Sequence, residues 1–230
     1  MFDAKEHAIK DTNAKFNSKL EPIPYYGTTI ISYLNTDKYP IFRPAEWAQK
    51  ELMKCSFAKN KLAFLPSDSF HMTIESLCRE VDRGGPTWPP MIPADARFPE
   101  IDATLKEIVD AIPFPEHITV EVDCCEVTKI VLKPHTAEDA EKLKQYRDQV
   151  ADKTGIHHPW HDGFRFHITL DYKVFDLDEK ELVERDAVCA RLTEKLKKQV
   201  KPFEISKAQF VIFNDMMSYY PDISKRGPLY

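Results

Sequence analysis

The sequence FHMTIE at residues 70–75 and the sequence FHITLD at residues 166–171 decide how this chain folds and what chemistry it supports. Both follow the pattern Phe-His-apolar-Thr-apolar-acid. In an extended strand, alternate side chains lie on the same face. Each copy therefore predicts a strand with His and Thr side by side on one face and apolar residues on the other.

The two copies together supply the groups that phosphoester chemistry requires. If the two strands lie close together, His71 and His167 bring two imidazoles to one cleft, one to accept a proton and one to donate it. The hydroxyls of Thr73 and Thr169 are suited to bind phosphate oxygens. We therefore predict that the two histidines are catalytic and that the two threonines bind the substrate phosphate.

A third stretch, residues 117–119, matches the shorter pattern His-apolar-Thr, but we exclude it. Glu116 stands where the other two copies have Phe, and the stretch directly follows a proline-containing turn at residues 113–115. We expect His117 to begin a strand near solvent, outside the site.

The composition is that of a soluble globular protein. Of its 230 residues, 43% are hydrophobic and 30% are charged, and no run of about 18 apolar residues predicts a membrane span. The first ten residues lack the apolar segment of a secretory signal. The net charge of −5 argues against binding along an extended nucleic acid. A small phosphorylated nucleotide or a single RNA terminus is the partner we expect, with the protein itself a monomer.

The cysteines and glycines exclude several other classes of protein. The five cysteines are odd in number and contain no C-x-x-C pair, which indicates free thiols in a reducing cytosol. We therefore expect a cytoplasmic protein. With only 6 glycines, the chain has no phosphate-binding P-loop, no dinucleotide fingerprint and no serine-nucleophile elbow. No cofactor is expected.

Hydrophobic periodicity predicts a mixture of strands and helices. Strands are expected at residues 28–34, 62–65, 71–77, 117–127, 129–133, 165–172 and 203–214, and helices at 44–55, 101–112, 136–153 and 178–200. Residues 1–27 are expected to form an N-terminal arm with a short helix, residues 28–214 a single two-lobed catalytic domain, and residues 215–230 an irregular tail. Within the domain, residues 79–100 are rich in proline and form either a surface insertion or a lid.

The order of elements is an approximate internal duplication, with a helix before each motif strand. This order predicts an α+β fold of two pseudo-symmetric lobes. Each lobe is expected to be a small, mostly antiparallel sheet with helices on its outer side. The two motif strands would then face each other across a central cleft.

These features resemble the two-histidine (2H) phosphoesterase superfamily, which is marked by two H-x-[TS]-apolar motifs on strands of a bilobal α+β fold. The resemblance rests on His71, Thr73, His167 and Thr169 and on the element order over residues 28–214. The superfamily includes RNA 2′,3′-cyclic phosphodiesterases (the 2′-5′ RNA ligase-like group) and enzymes that open ADP-ribose 1″,2″-cyclic phosphate. The long N-terminal arm and the 79–100 loop indicate a divergent branch, which puts the substrate in question more than the chemistry.

The resemblance implies metal-independent hydrolysis of a cyclic phosphodiester. One imidazole would deprotonate water and the other would protonate the departing ribose oxygen. The two threonines would steady the extra negative charge of the transition state. The residues do not decide which histidine is the base; we favour His167 as base and His71 as acid.

Several neighbouring side chains are further candidates. In a regular strand Arg165 shares a face with His167, so it either clamps the substrate phosphate or pairs with a carboxylate at the rim. Glu75 and Asp171 are expected on the same strand face as the motif histidines, where they either orient structural neighbours or are solvated at the strand ends. Three aromatic residues are either platforms for a base or core residues: Tyr33, Trp160 and Tyr219.

Two rival functions remain open at this point. Residues 157–162, HHPWHD, place three histidines and an acid in one loop and would suit a metal-dependent hydrolase, although a solvated loop is the simpler interpretation. Alternatively, the protein binds a nucleotide or an RNA end without catalysis. Metal content and histidine substitutions separate these alternatives.

Overall fold

The structure, a computed structural model, describes residues 15–205 and 207–228. The strands are β1 Gly27–Tyr33, β2 Leu62–Phe64, β3 His71–Arg79, β4 Ile118–Cys125, β5 Lys129–Pro134, β6 His167–Thr169, β7 Asp171–Lys173, β8 Phe203–Ile205, β9 Gln209–Phe213 and β10 Tyr219–Tyr220. The helices are α1 Phe42–Leu52, α2 Ala58–Lys61, α3 Phe98–Asp110, α4 Ala137–Thr154 and α5 Glu179–Gln199, with 3₁₀ turns at Ser67–Ser69, Glu80–Asp82 and Ile223–Lys225.

Eight strands form one antiparallel sheet in the order β10-β9-β1-β3-β6-β5-β4-β8, and β2 pairs with β7 in a small second sheet. The large sheet has two halves of four strands. The motif strands β3 and β6 are the innermost strand of each half and lie side by side at the middle of the sheet. The predicted α+β, two-lobed fold is therefore confirmed. The two lobes share a continuous sheet because β3 and β6 pair with each other, which leaves neither motif strand as an unpaired edge.

The core lies on the face of the sheet opposite the motif histidines. Met72 and Ile168, which flank the histidines in sequence, are fully buried, as are Ile30 and Ile130 on the next strands outward. α4 packs across β3, β4 and β5 and so covers the junction of the two halves, while α5 packs on β4 and α3 packs on β9. Burial of these apolar side chains fixes which face of each motif strand is free for chemistry.

Side-chain caps set the starts of two predicted helices. The Thr136 hydroxyl accepts from the Asp139 amide at 3.0 Å, and the Asp139 carboxylate accepts from the Thr136 amide at 3.0 Å. Asp178 and Glu181 make the same reciprocal pair at the start of α5. These capping boxes satisfy amides that would otherwise lack partners, so the predicted starts at residues 136 and 178 hold.

The proline-rich loop at residues 79–100 is packed against the body of the protein. Trp88 is buried and its indole donates to the Ile92 carbonyl at 2.8 Å. Arg83 donates to the Ala94 and Ala96 carbonyls. Gly155 has a φ of +67°, and a Cβ there would lie 2.5 Å from Pro90, so the loop rests directly on the end of α4. These contacts favour the surface insertion over the lid.

Three sequence-based expectations are wrong in detail. Residues 203–214 do not form one strand: β8 pairs with β4 and β9 pairs with β1, in opposite halves of the sheet. The strand expected at 165–172 is divided between β6 and β7, which belong to different sheets. The tail, expected to be irregular, contains β10, which extends the sheet beyond β9.

The short helix expected in the N-terminal arm stays a prediction. Residues 15–26 contain a bridge between Phe16 and Pro22 and no helix, and the rest of the arm lies outside the described residues. Among the described residues, no helix combines the length and apolar character needed to cross a bilayer.

Candidate active site

The pairing of the motif strands sets the geometry of the site. Met72 of β3 is the antiparallel partner of Ile168 of β6. In this register His71 lies beside Thr169, and Thr73 lies beside His167, all on the face opposite the buried pair. The sequence-predicted histidines and threonines are thus neighbours on one surface of the sheet.

Both imidazoles are fixed by the same kind of hydrogen bond, which joins Nδ1 to the backbone carbonyl two residues earlier. Nδ1 of His71 lies 2.7 Å from the Ser69 carbonyl oxygen, and Nδ1 of His167 lies 2.7 Å from the Arg165 carbonyl oxygen. A carbonyl oxygen only accepts, so Nδ1 carries the proton in each ring. In the neutral tautomer the Nε2 lone pair of each histidine is therefore the one available for proton transfer.

Burial lowers the pKa of both histidines. The pKa of His71 falls to about 4 because burial disfavours the imidazolium, partly opposed by the Ser69 carbonyl. The pKa of His167 also falls to about 4, first through burial and then through the nearby Lys129 ammonium. Both rings are consequently neutral near pH 7 before substrate binds.

Lys129 is a site residue that the sequence interpretation missed. It is the β5 partner of Thr169, so it lies on the strand next to the second motif. Its ammonium lies 3.5 Å from Glu126. Two lysines, at residues 129 and 133, lie on the same face of a strand that the sequence predicted. Only the pairing of β5 with β6 shows that Lys129 lies beside the second motif.

Tyr219 of β10 covers His71. The two ring centroids are 4.2 Å apart in an edge-to-face arrangement, and the Tyr33 hydroxyl holds β10 by donating to the Tyr219 carbonyl at 2.7 Å. Burial raises the pKa of the Tyr219 hydroxyl well above its usual range, so it remains neutral. Tyr219 was predicted as a base platform, a core residue or a loop anchor, and the structure packs its ring against the imidazole of His71, a candidate catalytic residue.

Arg165 lies at the rim of the site, with more than half of its side chain exposed. Its Nη1 donates to the Glu126 carboxylate at 2.8 Å, while its backbone carbonyl holds His167. The sequence allowed two roles for Arg165, and the ion pair with Glu126 is the second of them, pairing with a carboxylate at the rim. Direct binding of phosphate by Arg165 stays a prediction.

A β-bulge turns Glu75 away from the face of His71 and Thr73. Glu75 pairs with Ile30 while Thr73 pairs with the adjacent Ile31, so β3 carries one residue more than β1 at this point. The extra residue reverses the alternation. Glu75 is instead buried, and its carboxylate accepts from Arg147 Nε at 2.7 Å. The Glu75 carboxylate therefore orients Arg147 and is not a solvated group at a strand end.

Asp171 is also fully buried, and burial raises its pKa well above the usual range. Among the described residues, neither carboxylate oxygen has a hydrogen-bond partner. Because β6 ends at Thr169 and β7 begins at Asp171, this carboxyl belongs to the small second sheet. It does not solvate a strand end either.

The histidines of the 157–162 loop bind different partners. His157 lies 3.8 Å from Asp152, His158 contacts the Leu77 carbonyl at 3.3 Å, and His161 contacts Asp148 at 2.9 Å. Burial lowers the pKa of His158 to about 4. Within the described residues, no three His, Cys, Asp or Glu side chains converge as a metal site would require. The three histidines therefore have separate partners, and the burial of His158 shows that this is not the solvated loop expected from the sequence.

His117 lies outside the site, as expected. It directly precedes β4, its side chain is largely exposed, and its nearest acid is Glu204 at 3.5 Å. Its φ of +56° differs from that of a strand residue. His117 therefore lacks the strand geometry of the two motif histidines, and its exclusion from the site stays a prediction.

A cavity of about 300 Å³ opens beside His71. Its walls include His71, Thr73, Arg79 and Trp160, but neither His167 nor Thr169. Trp160 stacks on His158 with centroids 4.6 Å apart. Of the three aromatic candidates, Trp160 and Tyr219 line this cavity, whereas Tyr33 lines a neighbouring one with Tyr219.

The fold and the paired motifs define a 2H-phosphoesterase-like protein. Residues 15–131 match the family model described as 2H-phosphodiest, a domain of unknown function (DUF1868), and the protein belongs to this family. The matched segment contains the His71 motif but ends before the His167 motif. The name of the family points to phosphodiester chemistry.

A solved structure agrees with this assignment over most of the chain. The crystal structure of a conserved protein of unknown function from Agrobacterium tumefaciens is similar, with 26% sequence identity and a TM-score of 0.84. The similarity covers 90% of this chain and 88% of that one. No curated protein matches the chain.

Proposed function

We propose that the protein hydrolyses a cyclic phosphodiester without a metal ion, using His71 and His167 as general acid and general base. The substrate is a 2′,3′-cyclic nucleotide or RNA end, or ADP-ribose 1″,2″-cyclic phosphate. The observation that carries the proposal is the register of β3 and β6, which sets each histidine beside the threonine of the other motif.

The reaction is an in-line displacement that starts from a protonated His71 and a neutral His167. Nε2 of His167 removes a proton from water, and the resulting hydroxide forms a bond to phosphorus. The bond from phosphorus to one ribose oxygen breaks, and Nε2 of His71 supplies the proton that this oxygen takes. The product is a phosphomonoester beside a free hydroxyl, and one proton has moved from one imidazole to the other. Each proton transfer typically contributes about 10²–10⁴ in rate.

The surroundings of the two histidines differ in a way that supports this assignment. Lys129 lowers the pKa of His167, which favours the neutral base. No cation is among the causes that shift the pKa of His71. A bound phosphodiester anion will raise the pKa of a buried imidazole beside it, so His71 acquires its proton as substrate binds.

The threonines and Lys129 provide the remaining stabilisation. The hydroxyls of Thr73 and Thr169 flank the position between the two imidazoles and are suited to donate to the nonbridging oxygens. Lys129, opposite Thr169, adds positive charge on the same side. This charge opposes the extra negative charge that develops in the transition state.

Hydrolysis of 2′,3′-cyclic AMP by EDTA-treated protein tests the proposal, with ADP-ribose 1″,2″-cyclic phosphate as the second substrate. We expect turnover that EDTA leaves intact and that His71→Ala and His167→Ala each abolish. His117→Ala, the matched control from the third pattern, retains activity within about threefold. Turnover that depends on added metal, or equal losses in all three variants, contradicts the mechanism.

A non-catalytic nucleotide-binding protein is the alternative from a different class. Such a protein would bind nucleotide without turnover and would retain affinity in at least one of the two histidine variants. The identical anchoring of both imidazoles through Nδ1 favours catalysis, because binding alone does not require two free Nε2 atoms.

A further inference from the structure

Glu126 lies on the same face of the large sheet as the second motif. It faces Lys129 across the turn that joins β4 to β5, and its amide donates to the Lys129 carbonyl at 2.8 Å. Lys129 is in turn the partner of Thr169 on β6. Because paired residues of an antiparallel sheet point to the same face, Glu126, Lys129 and Thr169 form one row of side chains across three strands.

The neighbouring row of side chains contains His167. Cys124 of β4 is the partner of Val131, and Val131 is the partner of His167. Cys124 precedes Glu126 by two residues, so the two rows lie on the same face. Burial and Lys129 lower the pKa of His167, and the charge of Glu126 opposes them. Glu126 is therefore close enough to the candidate site to act on it through its charge.

Backbone hydrogen bonds tie the β4–β5 turn to the second motif. The Thr128 carbonyl accepts from the Leu170 amide at 2.8 Å and from the Asp171 amide at 3.3 Å. Both amides lie just beyond the end of β6. The turn that carries Glu126 and Lys129 is thus attached directly to the end of the motif strand.

The Glu126 carboxylate contacts two cations. One oxygen accepts from Nη1 of Arg165 at 2.8 Å, and the other lies 3.5 Å from the Lys129 ammonium. Arg165 also holds the His167 ring through its backbone carbonyl. The three side chains together carry two positive charges and one negative charge, which leaves a single positive charge beside the second motif.

The charge of the phosphate changes during the proposed reaction. A cyclic phosphodiester carries one negative charge, whereas the phosphomonoester product carries close to two at pH 8, because its second pKa is about 6. Two cations without a carboxylate would attract the product much more strongly than the substrate. A single residual positive charge still attracts the substrate and adds less to the affinity for the product.

We propose that Glu126 is a specificity-determining residue that favours a singly charged phosphodiester over a doubly charged phosphomonoester. Its carboxylate offsets one of the two cations beside His167, which weakens binding of the product and speeds its release. This inference rests on the proposed function, because it assumes that the cyclic phosphate lies between His71 and His167.

Two ligands that differ by one charge test the inference without any reaction. At pH 8, 2′-deoxyadenosine 3′-phosphate is a dianion, and its methyl ester is a monoanion that cannot cyclise because it lacks the 2′-hydroxyl. By calorimetry, we expect Glu126→Gln to bind the methyl ester about threefold tighter than wild type and the monoester about tenfold tighter, because the Coulomb energy doubles with the second charge. The ratio of the two dissociation constants then shifts by about threefold toward the monoester.

Two control variants separate the charge of Glu126 from other effects. Glu126→Asp keeps the charge and is expected to keep the wild-type ratio. Glu121→Gln changes the total charge equally, but Glu121 contacts Lys133 and His135 farther along the same hairpin. Thermal unfolding verifies that each variant is folded. An unchanged ratio in Glu126→Gln, or an equal shift in Glu126→Asp or Glu121→Gln, overturns the inference.

Kinetic measurements separate failure of this inference from failure of the proposed function. With 2′,3′-cyclic AMP in EDTA, the inhibition constant of the phosphomonoester product is expected to fall by about tenfold in Glu126→Gln, and KM by about threefold. A shifted binding ratio without turnover of any cyclic phosphate sustains the selection by charge and refutes the hydrolase. Turnover with an unshifted binding ratio does the reverse.

Discussion

Met72 and Ile168 are the antiparallel pair at which the two halves of the sheet join, and both side chains are fully buried. Each follows a motif histidine directly in the sequence. Because side chains alternate along a strand, burying this pair sends both histidines to the opposite face. The same contact that joins the lobes therefore assembles the candidate site.

The first prediction concerns the pH dependence of the reaction. The pKa values of His71 and His167 are both lowered to about 4, so both are neutral in the free protein near pH 7. The proposed mechanism requires one of them protonated, and that fraction grows as the pH falls toward the two pKa values. We expect kcat/KM to rise as the pH is lowered from 7 to 5. A steady-state profile over pH 5–8 checks this, and a rise toward alkaline pH would contradict it.

The second prediction concerns Lys129. Lys129→Met removes the cation that lowers the pKa of His167, so that pKa should rise, and the transition state should lose a favourable charge. We expect kcat/KM to fall by about tenfold or more. Lys133→Met is the control on the same strand, because Lys133 pairs with Glu121 instead. Similar losses in both variants would refute a specific role for Lys129.

The third prediction concerns Tyr219, whose ring packs edge-on against the imidazole of His71. Tyr219→Ala opens this contact, so the pKa of His71 should rise from about 4 toward the usual value near 6.5. Tyr219→Phe keeps the ring and should leave that pKa low. An NMR titration of the His71 imidazole measures both variants. A pKa that stays near 4 in Tyr219→Ala would show that other groups exclude water from His71.

The fourth prediction concerns stability. Arg147 and Glu75 form an ion pair with side chains only 5% and 2% exposed. Arg147→Met removes the guanidinium from this buried carboxyl and leaves it, among the described residues, only the His161 imidazole at 3.5 Å, which should lower the free energy of unfolding by about 3 kcal/mol. Urea unfolding measures this, beside Lys144→Met, which breaks the surface pair with Asp148 and should cost little. Equal stability of the two variants would contradict the conclusion that the bulge turns Glu75 inward to a buried ion pair with Arg147.

The sequence predicted the two histidines of the candidate site but not the residues that surround them. Repetition of the motif predicted that His71 and His167 would share a cleft, and hydrophobic periodicity predicted the helices at residues 136–153 and 178–200. Those signals are local, since each depends on residues within a few positions of one another. They describe single elements well.

The features that sequence did not predict depend on partners far along the chain. Only the pairing with β1 reveals the bulge that turns Glu75 inward, and only the pairing with β6 brings Lys129 to the site. The continuous alternation at residues 203–214 gave no sign that β8 and β9 join opposite halves of the sheet. β10 has only two residues, too few for a periodic signal, yet it carries the tyrosine that covers His71.

The central claim is that His71 and His167 act as one unit, and a double-mutant cycle tests it most directly. kcat/KM for a cyclic phosphodiester is measured in EDTA for wild type, His71→Ala, His167→Ala and the double variant. Residues that act together are strongly non-additive, so we predict a loss of about 10²–10⁴ in each single variant and little further loss in the double variant. Single losses that multiply in the double variant, or wild-type activity in either single variant, would contradict the paired-histidine mechanism.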